Sequence, residues 1–205
     1  MGIGASFERE IAKKMSLWLT GGNDENCVWR SKSSGGRATY QRRRYGEHNK
    51  VYDFGDLGPD DSKVFFFFDV FNCELKTGYA RKTKKGMVKW DLLELIDSNQ
   101  QLPMFYNFWE QCVTDSNESG REPMLIFRRN RMEPCIAIRS DIFGFLCNLS
   151  KKPIGFDYVT VKLANDPLFI TVSNVYHFFD HTWNVLNYGT IRRMAITVSL
   201  KRKGI

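Results

Sequence analysis

The chain contains no stretch apolar enough to cross a bilayer. Its longest strongly apolar run, Val64 to Phe68, has five residues, where a membrane span takes about 20. No membrane partner is expected. The opening Met-Gly-Ile-Gly-Ala-Ser-Phe-Glu-Arg-Glu carries carboxylates where a secretory signal needs its apolar segment, so a reducing cytoplasm is the expected location. Cysteine is scarce and odd in number. Cys27, Cys73, Cys112, Cys135 and Cys147 include no Cys-x-x-Cys spacing, which argues against a disulfide framework and against a zinc knuckle. They are expected to be small buried apolar residues. Internal repeats, low-complexity linkers and the biased composition of collagen-like or mucin-like chains are missing as well.

What the 205 residues do contain is enough apolar material for a real core: 42% hydrophobic, 14% aromatic, with sixteen Phe. That supports one ordinary domain, or a domain with an appendage, and excludes wholesale disorder. The net charge of +7 is concentrated in two blocks. Between Val28 and Lys50 stand Arg30, Lys32, Arg37, Arg42, Arg43, Arg44 and Lys50 against Glu47 alone; between Lys76 and Lys89 stand Lys76, Arg81, Lys82, Lys84, Lys85 and Lys89 with no carboxylate. A single basic run is most often a solvated loop. Two runs bracketing a candidate site point to a polyanion, since each cation that neutralises a phosphate releases a counterion. Tyr40 and Tyr45 lie among these arginines, and core packing is their more common use.

Phe7, Ile11, Met15 and Trp18 recur at helical spacing, predicting an amphipathic helix over residues 5–19 that Gly21 and Gly22 stop. A short strand is expected over Cys27–Ser31, a turn-rich stretch over Gly55–Ser62, and a long central strand over Phe66–Lys76. Trp90–Asp97 reads as a short helix. Pro103–Val113 reads as a firmer one, with Pro at its start and Phe105, Phe108, Trp109 and Cys112 on one side. Met124–Phe127 and Cys135–Ile138 read as paired strands around the Arg128-Arg129-Asn130-Arg131 turn, and a helix over Val175–Leu186 with a strand over Thr190–Leu200 closes the chain. The order of helices and strands defines an α/β or α+β sheet domain.

The chemistry concentrates in Asn72-Cys73-Glu74-Leu75-Lys76. Alternate residues of a strand share a face, so Glu74 and Lys76 point together while Cys73 and Leu75 pack behind. Ionised groups are costly to bury unpaired, so a carboxylate and an ammonium at the end of so apolar a run either compensate each other or are poised in a cleft. A second carboxylate, Asp56 in Phe54-Gly55-Asp56-Leu57, lies 18 residues earlier, enough for a turn and a return strand. Two carboxylates and a strand carbonyl make a hard oxygen site suited to Mg²⁺, and Lys76 would act on a phosphate bound there. That is the outline of a phosphodiesterase.

Asp56 followed by Glu74-Leu75-Lys76 resembles the Asp…(Glu/Asp)-x-Lys signature of the PD-(D/E)XK nuclease superfamily. Over residues 4–139 the order of elements is similar to that of archaeal-type Holliday junction resolvases and related phage endonucleases: Gly4 with the Glu8-bearing helix, Arg30-Ser31-Lys32-Ser33-Ser34-Gly35-Gly36-Arg37, Gly55-Asp56, the Glu-x-Lys strand, and a helix carrying Gln111. The resemblance implies a restriction-endonuclease-like core, a central mixed β-sheet flanked by helices, in residues 1–150. Residues 151–205 would be a C-terminal extension packed on it, the whole forming one compact unit. It implies Asp56, Glu74, the Leu75 carbonyl and Glu8 as metal ligands, and Lys76 and Gln111 as further catalytic residues. Arg30, Ser33, Ser34, Gly35, Gly36 and Arg37 would hold DNA, the glycines letting backbone amides approach a phosphate.

The implied activity is a metal-dependent DNA endonuclease, using Mg²⁺ with Mn²⁺ able to substitute. It would be structure-selective for branched DNA, a homodimer, and cytoplasmic, in the host's cytoplasm if phage-encoded. Alternatives are a sequence-specific or nicking endonuclease of phage or mobile-element type, a catalytically silent nucleic-acid-binding protein, and an RNA-binding structural protein. Within the site, Asp60 of the literal Pro59-Asp60 pair, or Asp53, competes with Asp56 for the first position. Glu74 and Lys76 also fit a plain strand-end salt bridge, Ser33–Gly36 a plain turn, Gln111 surface decoration, and Glu8 a carboxylate that favours its helix N-terminus. His177 and His181, four apart, would share a helix face as zinc ligands or, more simply, pack among Tyr176, Phe178, Phe179 and Trp183.

Overall fold

The computed structural model describes residues 3–30, 54–78, 80–83, 86–89, 104–163 and 169–182. The first helix, α1 (Ile3–Leu19), follows the apolar spacing read from the sequence, and Phe7, Ile11, Met15 and Trp18 are its buried stripe. After a turn the chain enters strand β1 (Val28–Arg30). Strand β2 (Leu57–Pro59) lies inside the segment expected to be only turns.

The long strand expected over Phe66–Lys76 is two elements. The Asp61 carboxylate accepts from the Lys63 amide and starts a 3-10 turn over Ser62–Val64, which continues into the one-turn helix α2 (Phe65–Phe68). Strand β3 starts only at Phe71 and runs to Thr77. A run of four Phe has no polar residue to set a period, so a buried helical turn and a buried strand look alike in sequence.

Strands β4 (Ala80–Thr83) and β5 (Gly86–Lys89) form an antiparallel hairpin. Helix α3 (Met104–Ser119) outruns the predicted Pro103–Val113 by more than a turn. Strands β6 (Glu122–Arg128) and β7 (Cys135–Arg139) pair antiparallel with Leu125 opposite Ala137, the pairing the sequence suggested. Helix α4 (Ser140–Leu149) and strands β8 (Tyr158–Lys162) and β9 (Phe169–Asn174) follow, none of them anticipated. Helix α5 occupies Val175–Thr182. The expected helix over Trp90–Asp97 and strand over Thr190–Leu200 lie outside the described residues.

Seven strands make one mixed sheet in the order β1-β2-β3-β6-β7-β9-β8. Only β3 and β6 run parallel, in register Glu74 opposite Leu125 and Lys76 opposite Phe127. Joining parallel neighbours requires a crossover, and α3 lies within it. Strand β9 adds to β7, so the chain beyond residue 151 extends the same sheet.

Period-two alternation splits the side chains between two apolar layers. On one face Phe71, Cys73, Leu75, Met124, Ile126, Ile136 and Ile138 pack under α1, α2, α4 and α5. On the other, Leu125, Phe127, Ala137, Ile170 and Val172 pack under Phe105, Phe108, Trp109 and Cys112 of α3. Trp18 ties the first layer together: its ring stacks on Phe179 at 4.2 Å and its indole N–H donates to Thr182 Oγ1 at 3.1 Å. Fully burying a side chain of the Leu or Phe class contributes about 1.5–3 kcal/mol. Glu74 and Lys76, being even-numbered on β3, belong to the α3 face.

Candidate active site

Three ionisable side chains on this face are withdrawn from water: Asp56, Glu74 and Lys76 are 1%, 2% and 6% exposed. Charges so deeply placed must be compensated. Lys76 Nζ lies 2.5 Å from Glu74 Oε1 and donates at 2.9 Å to Gln111 Oε1, while Gln111 Nε2 donates at 3.0 Å to the same Glu74 oxygen. The three side chains close a triangle in which one amide holds both halves of the ion pair. Gln111 reaches it from α3, whose buried Phe108 and Cys112 fix that helix against the sheet. Gln111 itself is solvent-exposed, so the triangle is sealed at its charged edge and open at its amide corner.

Asp56 is held against the same strand by two bonds that bracket Glu74. Its amide donates to the Cys73 carbonyl at 2.7 Å, and its Oδ2 accepts from the Leu75 amide at 2.9 Å. Leu57 sits opposite Cys73, which pins the short β2 to β3 at this point. Gly55 makes the approach possible: its φ is +80°, a conformation that strains any other residue.

Asp60 lies elsewhere. Its amide donates to the Cys27 carbonyl at 2.8 Å, and its neighbour Asp61 caps the 3-10 turn. Glu8 and Arg30, assigned by resemblance to metal and to DNA, are ion-paired with each other across α1 and β1. Asp53, Ser33, Ser34, Gly35, Gly36 and Arg37 lie outside the described residues. His181 Nε2 is 2.8 Å from Ser150 Oγ and its ring packs edge-on to Phe156.

Thiol chemistry is not available beside this triangle. Burial pushes the Cys73 thiol up to about 12, with the charge of Glu74 adding to the effect. Burial likewise holds Cys112 well above its ordinary value, and Glu74 again contributes. A neutral buried thiol is a poor nucleophile and a poor ligand. Of the five cysteines only Cys135 is partly exposed.

Asp56, Glu74 and the Leu75 backbone offer the oxygen donors that a hard divalent cation takes. Such an ion commonly uses one or two carboxylates and completes its shell with water and substrate phosphate. Among the described residues no group of three His, Cys, Asp or Glu is placed to hold a metal ion. The donor set fits Mg²⁺-type coordination and does not fit a closed zinc site.

A mixed sheet with an aspartate directly before one strand, Glu-x-Lys on its neighbour, and a covering helix fits the restriction-endonuclease-like class of PD-(D/E)XK nucleases. Residues 3–184 match the family described as phage putative PDDEXK endonuclease, and the chain belongs to that family. Neither a curated protein nor a solved structure shows significant similarity to it. Among the described residues no helix is long and apolar enough to cross a membrane.

Sequence reasoning missed Arg121. It is 2% exposed, and its guanidinium donates to oxygens of Phe54, Phe68, Phe71, Asn72 and Ser119. The signal available was faint: an Arg after Ser119-Gly120, directly before an apolar strand, where a surface turn residue is the ordinary reading.

Proposed function

We propose that the protein is a metal-dependent DNA endonuclease that hydrolyses phosphodiester bonds, with Asp56, Glu74 and the Leu75 carbonyl as metal ligands. Mg²⁺ would be the ion, Mn²⁺ able to replace it, and bound there it would supply charge neutralisation at the phosphate and a more acidic water. The observation that carries this reading is the bracketing of Glu74 by Asp56, beside a lysine the same strand delivers 2.5 Å away. A plain salt bridge would not need a second carboxylate buried at the same point.

The roles of the chain's own groups follow from the geometry. Lys76 holds a positive charge beside the proposed metal ligands, compensates Glu74, and would act on a phosphate bound there. Gln111 keeps the Lys76 ammonium and the Glu74 carboxylate oriented from the solvent side. Glu8 would join the metal shell only by releasing Arg30, and Arg30 would then be free for the DNA backbone. Ser33, Ser34, Gly35, Gly36 and Arg37 are proposed to cradle a phosphate.

The order of motifs supports structure-selective cutting of branched DNA, and paired cuts across a near-symmetric junction call for a two-fold dimer. On this reading the nuclease chemistry belongs to residues 1–150, with 151–205 as a C-terminal extension packed on that core, and its place of action is the cytoplasm, the host's where the gene is carried by a phage.

The test is cleavage of an end-labelled four-way junction and a matched linear duplex, in Mg²⁺ or EDTA, by the wild type, Glu74→Ala and Lys76→Ala. Junction-selective, Mg²⁺-dependent cutting abolished by both substitutions is the expected result. Equal cutting of both substrates would keep the site and overturn the selectivity. Binding of DNA without cutting under any metal would overturn the nuclease reading and leave a silent binding protein.

A further inference from the structure

We infer that Arg121 is a positioning residue for the metal site: a buried cation that fastens the segment leading into Asp56 to the strand that carries Glu74. This inference rests on the reading of Asp56 and Glu74 as metal ligands and goes beyond it.

A guanidinium has five N–H donors in a fixed fork. In Arg121 every branch is used: Nη1 donates to the Phe68 and Phe71 carbonyls at 3.2 Å each, Nη2 to the Phe54 carbonyl at 3.2 Å and to Asn72 Oδ1 at 3.0 Å, and Nε to Ser119 Oγ at 3.1 Å. Burying a charge to satisfy three carbonyls, an amide and a hydroxyl is an expensive way to close a loop. The choice of acceptors explains it. Phe54 stands two residues before Asp56, and Phe71 and Asn72 stand three and two residues before Glu74. One rigid group therefore spans both arms of the site.

Asn72 makes the connection continuous. Its Oδ1 accepts from Arg121 and also lies where a Cβ on Gly55 would come within 2.6 Å, so the Gly55 backbone rests against the amide that Arg121 holds. Asp56 follows directly, tied to Cys73 and Leu75. Arg121 is itself fixed from outside the site, its amide donating to the Ser116 carbonyl at 2.8 Å and the next amide, of Glu122, to the Val70 carbonyl at 2.6 Å. Through these bonds it sets the separation between the two carboxylates by way of the backbone.

A lysine has the charge but not the fork, and cannot reach both arms at once. The experiment uses the full chain as wild type, Arg121→Lys and Asn72→Ala. Amide hydrogen exchange by mass spectrometry reads the 54–58 segment, calorimetry reads Mn²⁺ affinity, and cleavage is followed against Mg²⁺ concentration. In both variants residues 54–58 should lose protection while β6 and β7 keep theirs. Mn²⁺ affinity should fall roughly 10- to 100-fold, the range seen when groups that orient metal ligands are removed, and raised Mg²⁺ should restore much of the cleavage.

Unchanged exchange at 54–58 and unchanged Mn²⁺ affinity in a folded variant would overturn the inference. So would loss of protection spread evenly over the sheet, which marks a purely global role. If Arg121→Lys does not fold, Asn72→Ala decides by the same readouts. A wild type that binds no Mn²⁺ and cuts no DNA refutes the metal-site reading instead, and the exchange data still judge whether Arg121 holds the Asp56 segment.

Discussion

Gly55 passes so close to Asn72 that a Cβ built on it would stand 2.6 Å from the Asn72 amide oxygen, and 2.7 Å from the Cys73 carbonyl oxygen. One of these neighbours is backbone and the other is held by Arg121, so neither yields easily. With a φ of +80° added, Gly55→Ala is expected to destabilise the fold by about 1–3 kcal/mol and to displace Asp56. Urea unfolding followed by circular dichroism checks this; an unshifted midpoint would contradict it.

The Glu74–Lys76 pair should behave as a buried ion pair retained for function. Lys76→Met takes the ammonium away from a buried carboxylate and should cost about 3–5 kcal/mol. The double substitution Glu74→Gln with Lys76→Met should recover most of that loss while remaining inactive, because neither member of the pair then leaves the other's charge uncompensated. A double-mutant cycle in urea gives the answer: additive losses would show that the two residues are not coupled.

Gln111 separates a site role from a packing role, because it is exposed yet bonded to both members of the pair. Gln111→Ala should leave stability within about 0.5–1 kcal/mol. Cleavage should fall roughly 10- to 100-fold, as when an orienting partner of a metal site is lost. Equal thermal midpoints with equal kcat/KM would show that the amide is decoration.

Alkaline stability tests a different corner of the molecule. Burial, with the hydrogen bond to Glu10 second, pushes the Tyr176 phenol up from 10.0 to about 12. Above pH 10 the unfolded chain loses this proton while the folded chain keeps it, so the unfolded state binds fewer protons and stability falls as pH rises. The loss should run between about pH 10 and about pH 12, and Tyr176→Phe should flatten it. Thermal midpoints of the two proteins across that range provide the comparison.

Much of the site could be read from the residues, because its chemistry demands rare juxtapositions. A Glu and a Lys two apart inside an apolar strand require compensation, and Asp56 rather than Asp60 is the aspartate bonded beside Glu74. What could not be read depends on partners distant in the chain. Glu8 and Arg30 each looked like a ligand for something outside the protein, and they found each other. Arg121 takes its meaning from acceptors 49 to 67 residues away. The fold shows the same division. Helix α1 and the β6–β7 pair announce themselves through periodicity, whereas Phe65–Phe68 has none. Strand β8 alternates Val159, Thr160, Val161 and Lys162, yet it is short, lies at the end of the sheet order and is exposed along most of its length.

The parallel pairing of β3 with β6 gives the enzyme an all-or-none character. Asp56 arrives just ahead of the short β2 on one side of β3, and Gln111 on the crossover helix that connects β3 to β6 on the other. Closing such long loops is slow and cooperative. A chain still being synthesised, cut within α3, or locally opened there holds Glu74 and Lys76 without the Gln111 amide that orients them. Assembly of the triangle is thus coupled to completion of the sheet.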